Sequence, residues 1–152
     1  MRSIAQEAGV GVGTLYRRFS TREELVEATY RSEVARLCDS APELLERHPA
    51  TLALRTWMDR FVDLMATKQG IGDALRGILV DDGDRMTTRY LLADAIGVIL
   101  ARGAAEGTLR DDVDPYDVLL ALGGVTLIAG ESEQAATTGR LLDLLLDGLR
   151  IR

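Results

Sequence analysis

Apolar residues recur along the chain at intervals of three and four, with polar residues between them and little strict alternation, so the pattern predicts helices almost throughout. Arg2 to Gly9 reads as a short helix with Ile4, Ala5 and Ala8 on one face and Gly9 as its stop. Val12 to Phe19 reads as a second, with Leu15 and Phe19 facing inward. Gly11 serves as its N-cap, where glycine costs little relative to serine. Two short helices joined by a few residues that include glycine form a helix-turn-helix pattern.

Thr21-Arg22-Glu23-Glu24 is a capping box and opens a longer amphipathic helix toward Cys38. Ser40-Ala41-Pro42-Glu43 repeats the S-x-x-E signal and predicts a new start, and His48-Pro49 predicts a break, because the residue before proline avoids the helical region. From Leu52 to Gln69 the apolar residues Leu54, Trp57, Met58, Phe61, Leu64 and Met65 keep a helical period, and Gly70 ends the run. A shorter helix over Ile71 to Val80 is closed by the turn Asp81-Asp82-Gly83-Asp84. Arg85 to Glu106 follows; its centre, Tyr90 to Leu100, carries Asp94 as its one charge, the composition of a helix buried within a bundle. Asp114 and Pro115 make an N-cap and first position for a helix to about Gly130. The last helix, Gly139 to Leu149, sets Leu141, Leu142, Leu145, Gly148 and Leu149 opposite Asp143, Asp147 and Arg150. The expected fold is all-α: a helix-turn-helix head with its connecting helix over 1–38, and an antiparallel helical bundle over 39–152.

A chain of 152 residues buries roughly two-thirds of its unfolded surface without a metal or disulfide staple. Cys38 and His48 are the single cysteine and histidine, so a disulfide, a multi-cysteine metal site and a histidine-based triad have little to work with. No nucleophile–base pair or phosphate loop is present, and Gly9-Val10-Gly11-Val12-Gly13 lacks the preceding strand of a dinucleotide site. The expectation is a non-enzymatic protein without cofactor or metal. The absence of a signal segment or an apolar run of membrane length, with one cysteine, suits the cytoplasm.

The net charge of −6 argues at first against nucleic acid, but its distribution does not. Residues 1–22 hold four arginines against one glutamate, whereas residues 23–152 hold 14 basic against 23 acidic side chains. A phosphate backbone meets local charge, so a small basic head on an acidic body is compatible with DNA. On the helix after Gly11, Gly13, Thr14, Arg17 and Arg18 face outward, with Tyr16 at the boundary. Arginine can pair bidentately with guanine or grip phosphate, and threonine can donate to phosphate or touch a thymine methyl. Arg22 lies in the first turn of the next helix, whose free N–H groups also favour an anion. By pattern alone, Arg17-Arg18 is more often a solvated helix face.

The whole string from Ile4 to Leu25, IAQEAGVGVGTLYRRFSTREEL, resembles the N-terminal DNA-binding domain of the TetR family of transcriptional regulators, with its run I-A-x-x-A-G-V-S-x-G-T-(L/I/F)-Y-x-(H/Y)-F-x-(S/T)-(K/R)-x-x-L. The resemblance implies that Val12 to Phe19 is the recognition helix, that Thr14, Tyr16, Arg18 and Arg22 meet phosphates, and that Val12, Gly13 and Arg17 meet base edges. Gly11 replaces the customary serine cap, and Arg18 replaces a histidine or tyrosine. Family members carry a further helix before the equivalent of Arg2, so either these residues are the ordered or numbered part of a longer protein, the favoured expectation, or the protein lacks that helix and binds DNA poorly.

It further implies a ligand-responsive repressor whose partners are double-stranded operator DNA, a second copy of itself and a small-molecule effector, with no membrane. The last two helices of each subunit would pair across a two-fold axis through Leu120, Gly124, Leu127, Leu141, Leu145 and Leu149. Trp57, Phe61, Met65, Met86 and Tyr90 would line an effector pocket, although such a stripe is ordinarily core. The competing expectation is a helical ligand-binding or interaction module that has lost DNA binding.

Overall fold

The computed structural model describes residues 1–70, 82–127 and 135–152. Among them the helices are α1 (Arg2–Glu7), α2 (Val12–Arg18), α3 (Arg22–Arg47), α4 (Ala50–Gly70), α5 (Asp82–Glu106), α6 (Pro115–Thr126) and α7 (Ala135–Leu149). No strand occurs among the described residues; one isolated antiparallel bridge joins Leu109 and Arg150.

The head is set by its turn. α1 ends at Glu7, and Gly9 takes φ +66°, the left-handed region that a side chain makes costly. The Val10 N–H donates to the Ala5 carbonyl at 3.0 Å and closes the turn. Ala8 is therefore exposed, not on the inner face with Ala5 as the spacing suggested, because the helix stops before it. Ala5 and Leu15 are buried where α1 packs on α2, while the continuous core of the body starts at Val26.

α3 opens as the capping box predicts. Thr21 Oγ1 accepts from the Glu24 N–H at 3.1 Å, and the Glu24 carboxylate accepts from the Ser20 N–H at 2.7 Å, one residue before the cap. The new start expected at Ser40 does not occur: α3 continues through Pro42 to Arg47, and residues 38 and 39 lie within it. Ser40 is buried and its hydroxyl donates to the Leu37 carbonyl at 2.6 Å, so it bonds backward and does not cap forward. Pro42 removes one ladder bond, which the burial of Leu37, Ala41, Leu44 and Leu45 offsets. The break before Pro49 is present, with His48 extended at φ −139° and ψ 152°.

α4 buries Leu54, Trp57, Met58 and Phe61 between α3 and α5. The α5 start lies at Asp82, ahead of the expected Arg85, so Asp82 to Asp84 are helical; the expected helix over 71–80 and Asp81 lie outside the described residues. α5 is not encircled, contrary to its composition. Leu92, Ala93, Ile96 and Ile99 face the core, but Leu91 and Val98 are half exposed, because α3, α4 and α6 leave one ridge of it open.

The α5–α6 connection depends on close approach. Leu109 is fully buried, and a Cβ on Gly103 would fall 2.7 Å from Leu109 Cβ and nearer still to its Cγ and Cδ1. Arg110 N–H donates to the Leu149 carbonyl and Ile151 N–H to the Thr108 carbonyl, fastening the end of α7 to this connection. Asp114 caps α6 by accepting from the Tyr116 N–H at 2.8 Å. α6 is described as far as Leu127, so its expected continuation over 128–130 lies outside the described residues. α7 begins at Ala135, before the expected Gly139, whose carbonyl accepts from Arg55 of α4 at 3.3 Å. No helix among the described residues is long and apolar enough to cross a membrane.

Candidate nucleic-acid interface

α2 has one buried side, Leu15, with Phe19 half-buried just beyond its end. Its period therefore leaves Gly13, Thr14, Tyr16, Arg17 and Arg18 exposed, while Val12 is half-buried. Arg22, the first residue of α3, is exposed as well. The structure thus brings six of the seven candidate DNA residues onto open surface within two helix termini. A Cβ on Gly13 would meet no protein atom within 4 Å, so nothing inside the chain requires glycine there.

Charge separates the head from the body. Among the described residues, Arg2, Arg17, Arg18 and Arg22 form no ion pair. In the body, Arg31 pairs with Glu27, Arg36 with Glu33, Arg110 with Asp112, and Arg55 with both Asp59 and Asp143. The head arginines keep hydrogen bonds to spare for an external anion. Their side chains lie in different directions: the Arg17 guanidinium runs back along α2, donating to the Gly13 carbonyl and to Thr14 Oγ1, and that of Arg18 lies 6.0 Å from the Phe19 ring centre.

The candidate pocket residues are dispersed. Trp57 has no exposure; its indole N–H donates to the Leu37 carbonyl at 3.0 Å, and its ring stacks on Phe61 at 5.8 Å. Met65 is half-buried at the core margin. Met86 and Tyr90 lie at the surface of α5, and Tyr90 meets the Tyr116 ring of α6 at 6.1 Å. An open groove between α3 and α4, with Ser32, Arg36, Asp39, Glu43, Arg60 and Asp63 on its walls, contains none of the five. Core and pocket lining both take large side chains at helical spacing, so the sequence pattern alone does not separate them. Cys38 is half-buried, and burial, with Asp39 and Asp94 adding to it, pushes its thiol up to about 11.

The six expected dimer residues divide as well. Leu120, Gly124 and Leu127 form an exposed stripe on α6, with Leu127 81% exposed. On α7, Leu141 and Leu145 are half-buried, whereas Leu149 belongs to the core of its own chain with Leu142 and Leu146. Leu144, outside that set, is 69% exposed. It lies two residues from Leu142, hence on nearly the opposite face, a signal hidden by reading the leucines of α7 as one wide stripe.

Comparison with known proteins bears on both parts of the chain. The family profile described as "Bacterial regulatory proteins, tetR family" matches residues 1–29, and that described as "Transcriptional regulator SbtR-like, C-terminal domain" matches residues 48–151. The crystal structure of the TetR transcriptional regulator SCO0520 from Streptomyces coelicolor is similar, with a TM-score of 0.87 and 48% identity, over 97% of this chain and 85% of that one. The TetR transcription regulatory protein from Mycobacterium vanbaalenii is similar with a TM-score of 0.77 and 31% identity, over 98% of this chain and 81% of that one. No curated protein sequence matches.

Proposed function

Because the chain belongs to the TetR family of bacterial transcriptional regulators, we propose that it is a homodimeric repressor that reads a specific operator and releases it when a small molecule binds the bundle. The observation that carries this reading is the set of exposed arginines, with no ion pair among the described residues, around a bare Gly13 on α2. A helix of this kind fits the major groove, where Val12, Gly13 and Arg17 reach base edges while Thr14, Tyr16, Arg18 and Arg22 hold phosphates. Glycine at position 13 lets the backbone approach the DNA.

The exposed stripes of α6 and α7 support pairing with a second copy. Leu120, Gly124, Leu127 and Leu144 leave apolar surface on one chain that a two-fold partner would cover. Two recognition helices then address half-sites about one helical turn apart, roughly 34–36 Å. The uninterrupted α3 supports control by ligand. It starts beside the recognition helix at Arg22 and ends with Leu44 and Leu45 in the bundle core, so a repacked core changes the spacing of the two heads. An effector that favours the mismatched spacing shifts the population off DNA.

Binding to the promoter region of its own gene tests the reading. Arg17→Ala relaxes sequence preference, whereas Arg18→Ala and Arg22→Ala weaken binding to every duplex and each lower the salt slope by about 1. Equal losses on specific and random DNA for all three variants contradict the division of roles.

A further inference from the structure

We infer that Thr14 is a positioning residue for Arg17, fixing which edge of the guanidinium is presented to DNA. The inference rests on the reading that α2 enters the major groove. Arg17 Nε donates to the Gly13 carbonyl and its Nη2 to Thr14 Oγ1, both at 3.3 Å. Nε and Nη2 form one side of the planar guanidinium, so that side is turned toward its own helix. The end formed by Nη1 and Nη2 keeps one N–H from each nitrogen, parallel and unengaged. Two parallel N–H groups match O6 and N7 of guanine. The arginine is thereby held end-on to a purine edge, not side-on.

Two further features serve this arrangement. Gly11 has no side chain; a Cβ there would stand 3.7 Å from Thr14 Oγ1, and a capping hydroxyl at that position would compete for the same neighbourhood. The glycine cap leaves the threonine oxygen to Arg17. Arg18, by contrast, lies over Phe19 and leaves the Gly13–Thr14 side of the helix to its neighbour. Thr14 accepts from Arg17 through its oxygen, so its own hydroxyl hydrogen stays available to a phosphate, and both roles are held by one side chain. Ordering a long flexible side chain before binding removes part of the entropy cost of contact, worth roughly 2- to 10-fold in affinity for the matching base.

The test is selection from a randomised duplex pool by the wild type and by Thr14→Ser, Thr14→Val and Arg17→Ala, followed by sequencing of the bound fraction. The wild type is expected to show a guanine position in each half-site that Arg17→Ala erases. Thr14→Ser keeps that preference, and Thr14→Val lowers it roughly 2- to 10-fold while the other positions hold their preferences. A Thr14→Val pool with the Arg17-dependent guanine undiminished overturns the inference, as does an equal fall at every position, which marks Thr14 as a phosphate anchor alone. An Arg17→Ala pool that keeps every preference removes Arg17 from the base edges and the inference with it. A wild type that enriches no sequence instead contradicts the operator-reading function itself.

Discussion

Single residues in this protein divide into those that the fold requires and those that it leaves free. Gly103 belongs to the first kind, since a methyl group there would collide with the fully buried Leu109. Gly103→Ala is expected to destabilise by about 1–3 kcal/mol, read as a lowered midpoint in urea. Gly13 belongs to the second. Gly13→Ala meets no protein atom and favours helix, so stability holds or rises by up to about 1 kcal/mol, while DNA binding weakens; a variant that binds as the wild type does removes the argument for close backbone approach. Cys38 carries a corresponding chemical prediction. With burial raising its thiol to about 11, the thiolate fraction at pH 8 is small, and alkylation in the folded protein is expected to be much slower than in urea. Equal rates in both conditions would show an open thiol.

At the level of elements, much of the chain was legible because its stops are local. Gly9, Thr21, Pro49 and the Asp114–Pro115 pair act through φ, a missing N–H or a side-chain cap, and each determines a boundary without reference to the rest of the molecule. Ser40 shows where local reading fails. Its hydroxyl has two local options, capping forward or bonding back to Leu37, and tertiary burial of Leu37, Ala41 and Leu44 decides for the second. The open ridge of α5 and the outward Leu144 have the same origin, since composition shows how apolar a helix is but not which neighbours cover it. The exposed face of α2 was readable because one buried leucine on a short helix fixes the opposite side. The unbroken α3 also makes the capping box consequential: Thr21→Ala removes the oxygen that holds Glu24 N–H, with an expected cost of about 1 kcal/mol. The first turn of α3 carries Arg22, so amide exchange should accelerate there; unchanged exchange would show that the cap does not order it.

The whole molecule joins, through one helix, a basic head whose arginines form no ion pair among the described residues to an acidic body in which Arg31, Arg36, Arg55, Arg110 and Arg150 are paired. Its account as a regulator requires two copies. Leu144→Asp places a charge on the outward stripe of α7, and Leu144 contributes nothing to the core of its own chain. The variant is expected to keep its helix content, sediment as a monomer and lose cooperative operator binding; an unchanged dimer would move the interface elsewhere. The most direct test of the central claim is the affinity of the protein for DNA upstream of its own gene, beside a random duplex, at about 50 and 200 mM salt. The account predicts tight binding that prefers the upstream DNA and falls by roughly 10³–10⁵ over that range. Equal, weak binding to both duplexes would contradict it and leave the helical bundle as the seat of function.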